Sequence, residues 1–190
     1  MECQRGVCGD LAGFPALAEA AATGVVPNGS RLVKAARSGG VPVIHATAVR
    51  RADGAGSVTN CRMLAAAAKQ HESNRGIVEG SEGAALIAGF GPEPDDIVIS
   101  RLHGLTPFTS TSLDQILRNL GVTTVVAVGV SLNVGVLGLV LSAVDLGYQV
   151  VVPTDAVTGV PVDYGRTLLD GTISLLATLT TVDDLLAAWS

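Results

Sequence analysis

The sequence predicts a three-layer α/β/α fold built on a mostly parallel sheet. Three observations lead there. Short β-branched runs alternate with stretches of helical period, the pattern of βαβ units. Hydrophobic residues make up 48% of the chain and aromatics only 3%, so Ala, Val, Leu and Ile must build the core. Strands buried on both faces read as such runs. Finally, 190 residues fit one domain, spanning 1–190, that can bury a sizeable core.

Each element has its own signal. Ser30–Ser38 reads as a helix on Leu32, Val33, Ala35 and Ala36. Val41–Thr47 is a strand, Ala-rich Thr59–Gln70 a helix, and Ile97–Ser100 a second strand. Gly76–Pro94, rich in Gly, Pro, Glu and Asp, reads as a long connection or small flap. Thr111–Leu120 opens on a capping box, Thr111 and Asp114. Thr124–Val128 is a strand, and Val134–Leu146 is so apolar that a helix there is buried on most sides. Gln149–Val152 is the next strand. Helices over Thr167–Thr178 and Val182–Trp189 follow, the last behind a second box, Thr181 and Asp184.

Composition narrows the function. The net charge is −5, and Arg50-Arg51 is the nearest thing to a basic cluster, so nucleic acid is not an expected partner. Cys3, Cys8 and Cys61 are an odd number without CxxC spacing, which disfavours disulfide and metal frameworks. A reducing cytoplasm is the simplest setting. No apolar run of a signal peptide follows Met1-Glu2-Cys3-Gln4-Arg5. Val122–Val144 carries no charge over 23 residues, long enough to span a bilayer. Its Gly129, Ser131, Asn133, Gly135 and Gly138 instead favour a buried strand, turn and helix, and no membrane partner is expected.

Ligands of open parallel sheets bind beyond the carboxyl ends of the strands. That rule selects Glu2-Cys3-Gln4, His45–Arg51, Arg101-Leu102-His103-Gly104, Gly129–Gly135 and Thr154-Asp155-Ala156. Three of these, with their surroundings, resemble the isochorismatase-like, or cysteine hydrolase, family. Glu2-Cys3-Gln4 resembles the family's Asp-x-Gln. Ser100-Arg101 through Thr106-Pro107-Phe108 to Leu113 resembles its lysine segment. Gly129-Val130-Ser131-Leu132-Asn133-Val134-Gly135-Val136, with Ala143–Tyr148 and Asp155-Ala156, resembles its nucleophile turn. Asp163-Tyr164-Gly165 and Thr180–Leu185 extend the likeness over nearly the whole chain.

The resemblance implies a Rossmann-like sheet of order 3-2-1-4-5-6, a small-molecule substrate or ligand, and a homo-oligomer. It implies an Asp base, a Lys and a Cys nucleophile, with a cis non-proline peptide, here Val130–Ser131, at the oxyanion hole. All three triad positions are altered. Glu2 stands for the Asp, and Arg101 for the Lys, unless one extra residue in that segment puts Leu102 there and His103 nearby. Gly135 replaces the Cys, leaving the nucleophile position without a side chain. Isochorismatases proper also carry Gly there and protonate a vinyl ether instead, which would make Glu2 a general acid. Arg101 or His103 would then hold a substrate carboxylate. Phe108, Val130, Ser131 and Asn133 are the other expected substrate-binding residues, with Asn133 equally readable as a helix cap. Relatives that bind a metal use Asp-x-His after the strand where this chain has His45-Ala46-Thr47, so neither metal nor cofactor is expected. His45 and Asp155 read as structural. Two functions stay open: a cysteine-independent hydrolase, or a catalytically silent relative that binds a ligand or serves as a scaffold.

The resemblance also puts Glu2 at the end of the sheet's central strand, yet only Met1 precedes it. That strand reads as truncated, which would leave two rows of backbone groups unpaired. An apolar run placed upstream is expected to raise the melting temperature. Equal melting temperatures for the two chains would count against this.

Overall fold

The computed structural model describes residues 1–72 and 76–189. In chain order the elements are α1 (Arg5–Cys8), α2 (Pro15–Thr23), α3 (Val25–Ser38), β1 (Ile44–Ala48), α4 (Arg62–Glu72), β2 (Ile97–Arg101) and α5 (Leu113–Asn119). Then come β3 (Thr124–Val126), a π-helical turn (Leu132–Val136), α6 (Leu137–Asp145), β4 (Gln149–Pro153), α7 (Val162–Gly171), a 3₁₀ turn (Ile173–Leu175), β5 (Thr178–Thr180) and α8 (Val182–Ala188).

Every strand pair is parallel. β1 pairs with β2, and β4 lies between β3 and β5. The facing edges of β1 and β3 are bridged at one end by the first two residues. Glu2 N donates to Ala46 O at 2.8 Å, the Met1 ammonium donates to Val128 O at 2.7 Å, and Val130 N donates to Met1 O at 3.1 Å. Met1 thus binds one edge and Glu2 the other, so the slot between them is about one strand wide. Below this bridge lies a cavity of about 200 Å³ lined by Leu32, Ile44, Ala46, Leu117, Val126 and Leu139, among others. This slot separates the two groups of strands.

The main core packs α5, α6 and α7 on the sheet through Leu113, Leu117, Val136, Val140, Leu168 and Ile173, among others. A second cluster joins α1, α2 and α3 to Leu86 and Phe90. Leu32 and Val182 tie α3 to α8. The uncharged Val122–Val144 run is a strand, turn and helix. No helix among the described residues is long and apolar enough to cross a membrane.

Some elements differ from expectation. α3 begins five residues earlier than read from the sequence, and α1 and α2 were not anticipated. The expected helix over Thr167–Thr178 ends at Gly171, and its tail is the 3₁₀ turn and β5. The expected box at α5 does not form. Ser112 occupies the N-cap without a side-chain bond, while Asp114 accepts from Arg118 and from the Tyr148 hydroxyl. The second box holds, with Thr181 Oγ1 accepting from Asp184 N at 3.2 Å.

Candidate active site

Glu2 sits just past the strand-like bridge, at φ 54°, so its side chain leaves the direction an extended residue would take. It forms an ion pair with Arg101, the last residue of β2. Only 5% of the Arg101 side chain and 16% of the Glu2 side chain remain exposed. Arg101 also donates to Gly104 O at 3.1 Å and Thr47 O at 3.4 Å, which fixes the fork. Burial pushes the guanidinium down to about 10, so Arg101 stays charged at neutral pH. Leu102, by contrast, is 46% exposed, so the pairing cation is Arg101.

Gln4 anchors this corner. Fully buried, it donates to Ala48 O and Ala84 O at 2.9 and 3.0 Å and accepts from Ala48 N at 2.9 Å. It therefore ties the amino terminus to β1 and to the 76–94 connection, and holds Glu2 beside β2.

The pair lines a cavity of about 550 Å³, and Gly135, Ser131, Asn133 and His103 lie on its wall too. Gly135 is close-packed. A Cβ there would lie 2.9 Å from the Met1 methyl and 3.4 Å from Val130 O. The Val130–Ser131 peptide is cis, as the resemblance implies. Ser131 Oγ donates to Asn133 Oδ1 at 3.1 Å, and Asn133 Nδ2 donates to Val160 O at 3.3 Å. Asn133 therefore lines the cavity inside the π-helical turn and caps nothing.

Two expected site residues are elsewhere. Phe108 packs on the main core and stacks on Tyr148, with centroids 6.1 Å apart, and lines the slot rather than this cavity. Val130 is fully buried in the second core cluster. Phe108 belongs to the segment after β2 and Val130 to the turn motif, but both side chains pack among apolar neighbours.

His45 bonds Asp96 through Nε2 at 2.9 Å, and Asp96 also takes two bonds from Arg37. Asp155 accepts from Val182 N at 2.9 Å and from Asn28, joining α3 to α8. These are structural arrangements. Among the described residues no group of three or more His, Cys, Asp or Glu could hold a metal ion. One buried cation on the cavity wall, Arg50, was missed as a site residue. In the sequence it is only half of an Arg50-Arg51 pair, and nothing there tells which of the two points inward.

The isochorismatase domain model matches residues 1–184. The chain belongs to the isochorismatase family. A ureidoacrylate amidohydrolase of Methylobacterium radiotolerans is 35% identical over 134 residues, which are 66% of this chain and 50% of that protein. This isochorismatase-family chain thus spans about half the length of that curated relative. An isochorismatase family protein from Desulfovibrio vulgaris superposes with a TM-score of 0.78 at 28% identity, covering 98% of this chain and 95% of the other. A cysteine hydrolase of Pseudomonas syringae pv. phaseolicola, 22% identical, shares the fold at a TM-score of 0.80, covering 99% and 89%.

Proposed function

We propose that the chain is a hydrolase of a small molecule that works without a cysteine nucleophile, using Glu2 to activate water in front of Gly135. The observation that carries this is the buried Glu2–Arg101 pair on the same cavity wall as a residue with no side chain. A carboxylate held against a guanidinium favours its ionised form. An ionised Glu2 accepts a proton from water, and the water oxygen bonds to the carbonyl carbon of an amide or ureido group. The C–N bond then breaks, and Glu2 returns the proton to the leaving nitrogen. An amide-type substrate is the class suggested by the ureidoacrylate amidohydrolase relative. The acid-assisted vinyl-ether route needs Glu2 protonated, which Arg101 works against.

The test is hydrolysis of a panel of ureido acids, simple amides, nicotinamide and isochorismate by the intact protein. Glu2→Gln is expected to lower kcat/KM by about 100-fold or more, the usual span for a positioned base. Activity should rise with pH and level off within the acid range, because the base form is the ionised one and Arg101 favours it. A rate that instead falls as pH rises would make Glu2 the acid. Turnover unchanged in Glu2→Gln would remove Glu2 from the mechanism. Ligand binding without turnover of any panel member would favour the catalytically silent reading.

A further inference from the structure

Among the described residues six arginines form ion pairs with carboxylates: Arg5, Arg31, Arg37, Arg51, Arg101 and Arg118. Arg50 does not. It is only 8% exposed, yet no carboxylate pairs with it among the described residues. Among the described residues its one side-chain hydrogen bond is a long one, Nη2 to Leu64 O at 3.4 Å. Its backbone is fixed on both sides, with Arg50 N donating to Ile77 O and Glu79 N donating to Arg50 O. The residue is therefore held in place while most of its donors go unused. Burial alone weakens its hold on the proton, with no acid working in the other direction.

A buried, unpaired cation is costly to a fold, and structures normally pair it. Arg50 lines the cavity that holds Glu2 and Arg101. It lies two residues past β1, and Arg101 ends the neighbouring β2, in register with Ala48. Among the described residues, the charged groups lining the cavity are Glu2, Arg50 and Arg101, a sum of +1. Glu2 and Arg101 neutralise each other. One negative charge from outside would complete the balance. A guanidinium presents a planar fork that fits a carboxylate with two parallel bonds. Phe14, Val58, Met63, Leu64 and Ile77 give much of the remaining wall an apolar character. A volume of about 550 Å³ is within the range of small-molecule sites.

We propose that Arg50 is the anion-recognition residue of this cavity, and that its ligand is a small monocarboxylate with an apolar body. The inference deepens the hydrolase reading and rests on it for calling that ligand a substrate. The carboxylate binds Arg50 at one end of the cavity and presents its other end toward Glu2 and Gly135.

The test measures binding of propionate, acrylate and benzoate against the matching neutral amides, by calorimetry and thermal shift on the intact protein at neutral pH. Carboxylates are expected to bind at least tenfold more tightly than their amides. Arg50→Gln should abolish that preference, and Arg50→Lys should restore it in part. Without ligand, Arg50→Gln should melt no lower than the parent, because it removes an unpaired buried charge; a large drop would assign Arg50 a structural role and overturn the proposal. Equal binding of carboxylates and amides to the parent protein would also overturn it, a comparison that needs no variant. Glu2→Gln should retain the carboxylate preference while losing turnover. Turnover that survives Glu2→Gln would sink the catalytic reading and leave the binding claim standing.

Discussion

Arg101 shows how much one side chain organises. Its guanidinium serves a carboxylate and two backbone carbonyls while nearly all of it is out of water. Removing it leaves Glu2 without its cation in a mostly buried place, and breaking such a pair costs about 3 kcal/mol. Arg101→Met should therefore lower urea stability by that order. The double variant Glu2→Gln with Arg101→Met should recover most of the loss, because replacing both partners leaves no charge stranded. Two single losses that simply add would show that the residues do not act as a pair. At this scale the sequence was informative where a motif sets the backbone. The turn and strand-end pattern selects Glu2, Arg101, Gly135 and Asn133, and these four line one cavity. Phe108 and Val130 were misplaced because a motif gives position along the chain and not the face a side chain takes.

Among elements, the joint between α3, β1 and the start of β2 carries the clearest pH dependence. Arg37, backed by the Glu93 N–H and His45, holds the buried Asp96 carboxyl well below the usual carboxylate range. Burial lowers His45, with Asp96 partly opposing it. In both cases the unfolded chain binds the proton more readily, so stability rises with pH across each window. The His45 contribution is complete above about pH 6.5 and is lost as pH falls below it. The Asp96 contribution is complete above about pH 4 and is lost at still lower pH. Asp96→Asn should flatten the acid limb of a stability–pH curve measured by denaturant titration. A limb unchanged in that variant would show that Asp96 is not its cause. Element types were legible wherever a β-branched run or an apolar helical period was long, as at β1, β4 and α6. β5 was not, because its three residues, Thr178–Thr180, continue an apolar helical pattern and are turned into a strand only by pairing with β4. The short α1 has too few residues to display a period at all.

For the whole molecule, family and architecture were readable from motifs spread over the chain, since each marks the end of a strand in a parallel sheet. The slot lies beneath Glu2, between β1 and β3. What no motif conveys is how the chain closes over it. Met1 and Glu2 do so with three backbone bonds, and the Met1 carbonyl lies against Gly129, where a Cβ would collide with it.

The slot also makes the molecule soft in one direction. Unfolding removes internal voids, so a fold that contains one gives up volume when it opens, and hydrostatic pressure drives it that way. Trp189, the chain's only tryptophan, lines that cavity. Its fluorescence should follow water being forced in. The protein is expected to lose structure at a lower pressure than a version in which an apolar strand fills the space, and matching pressure midpoints would mean the void is not what yields.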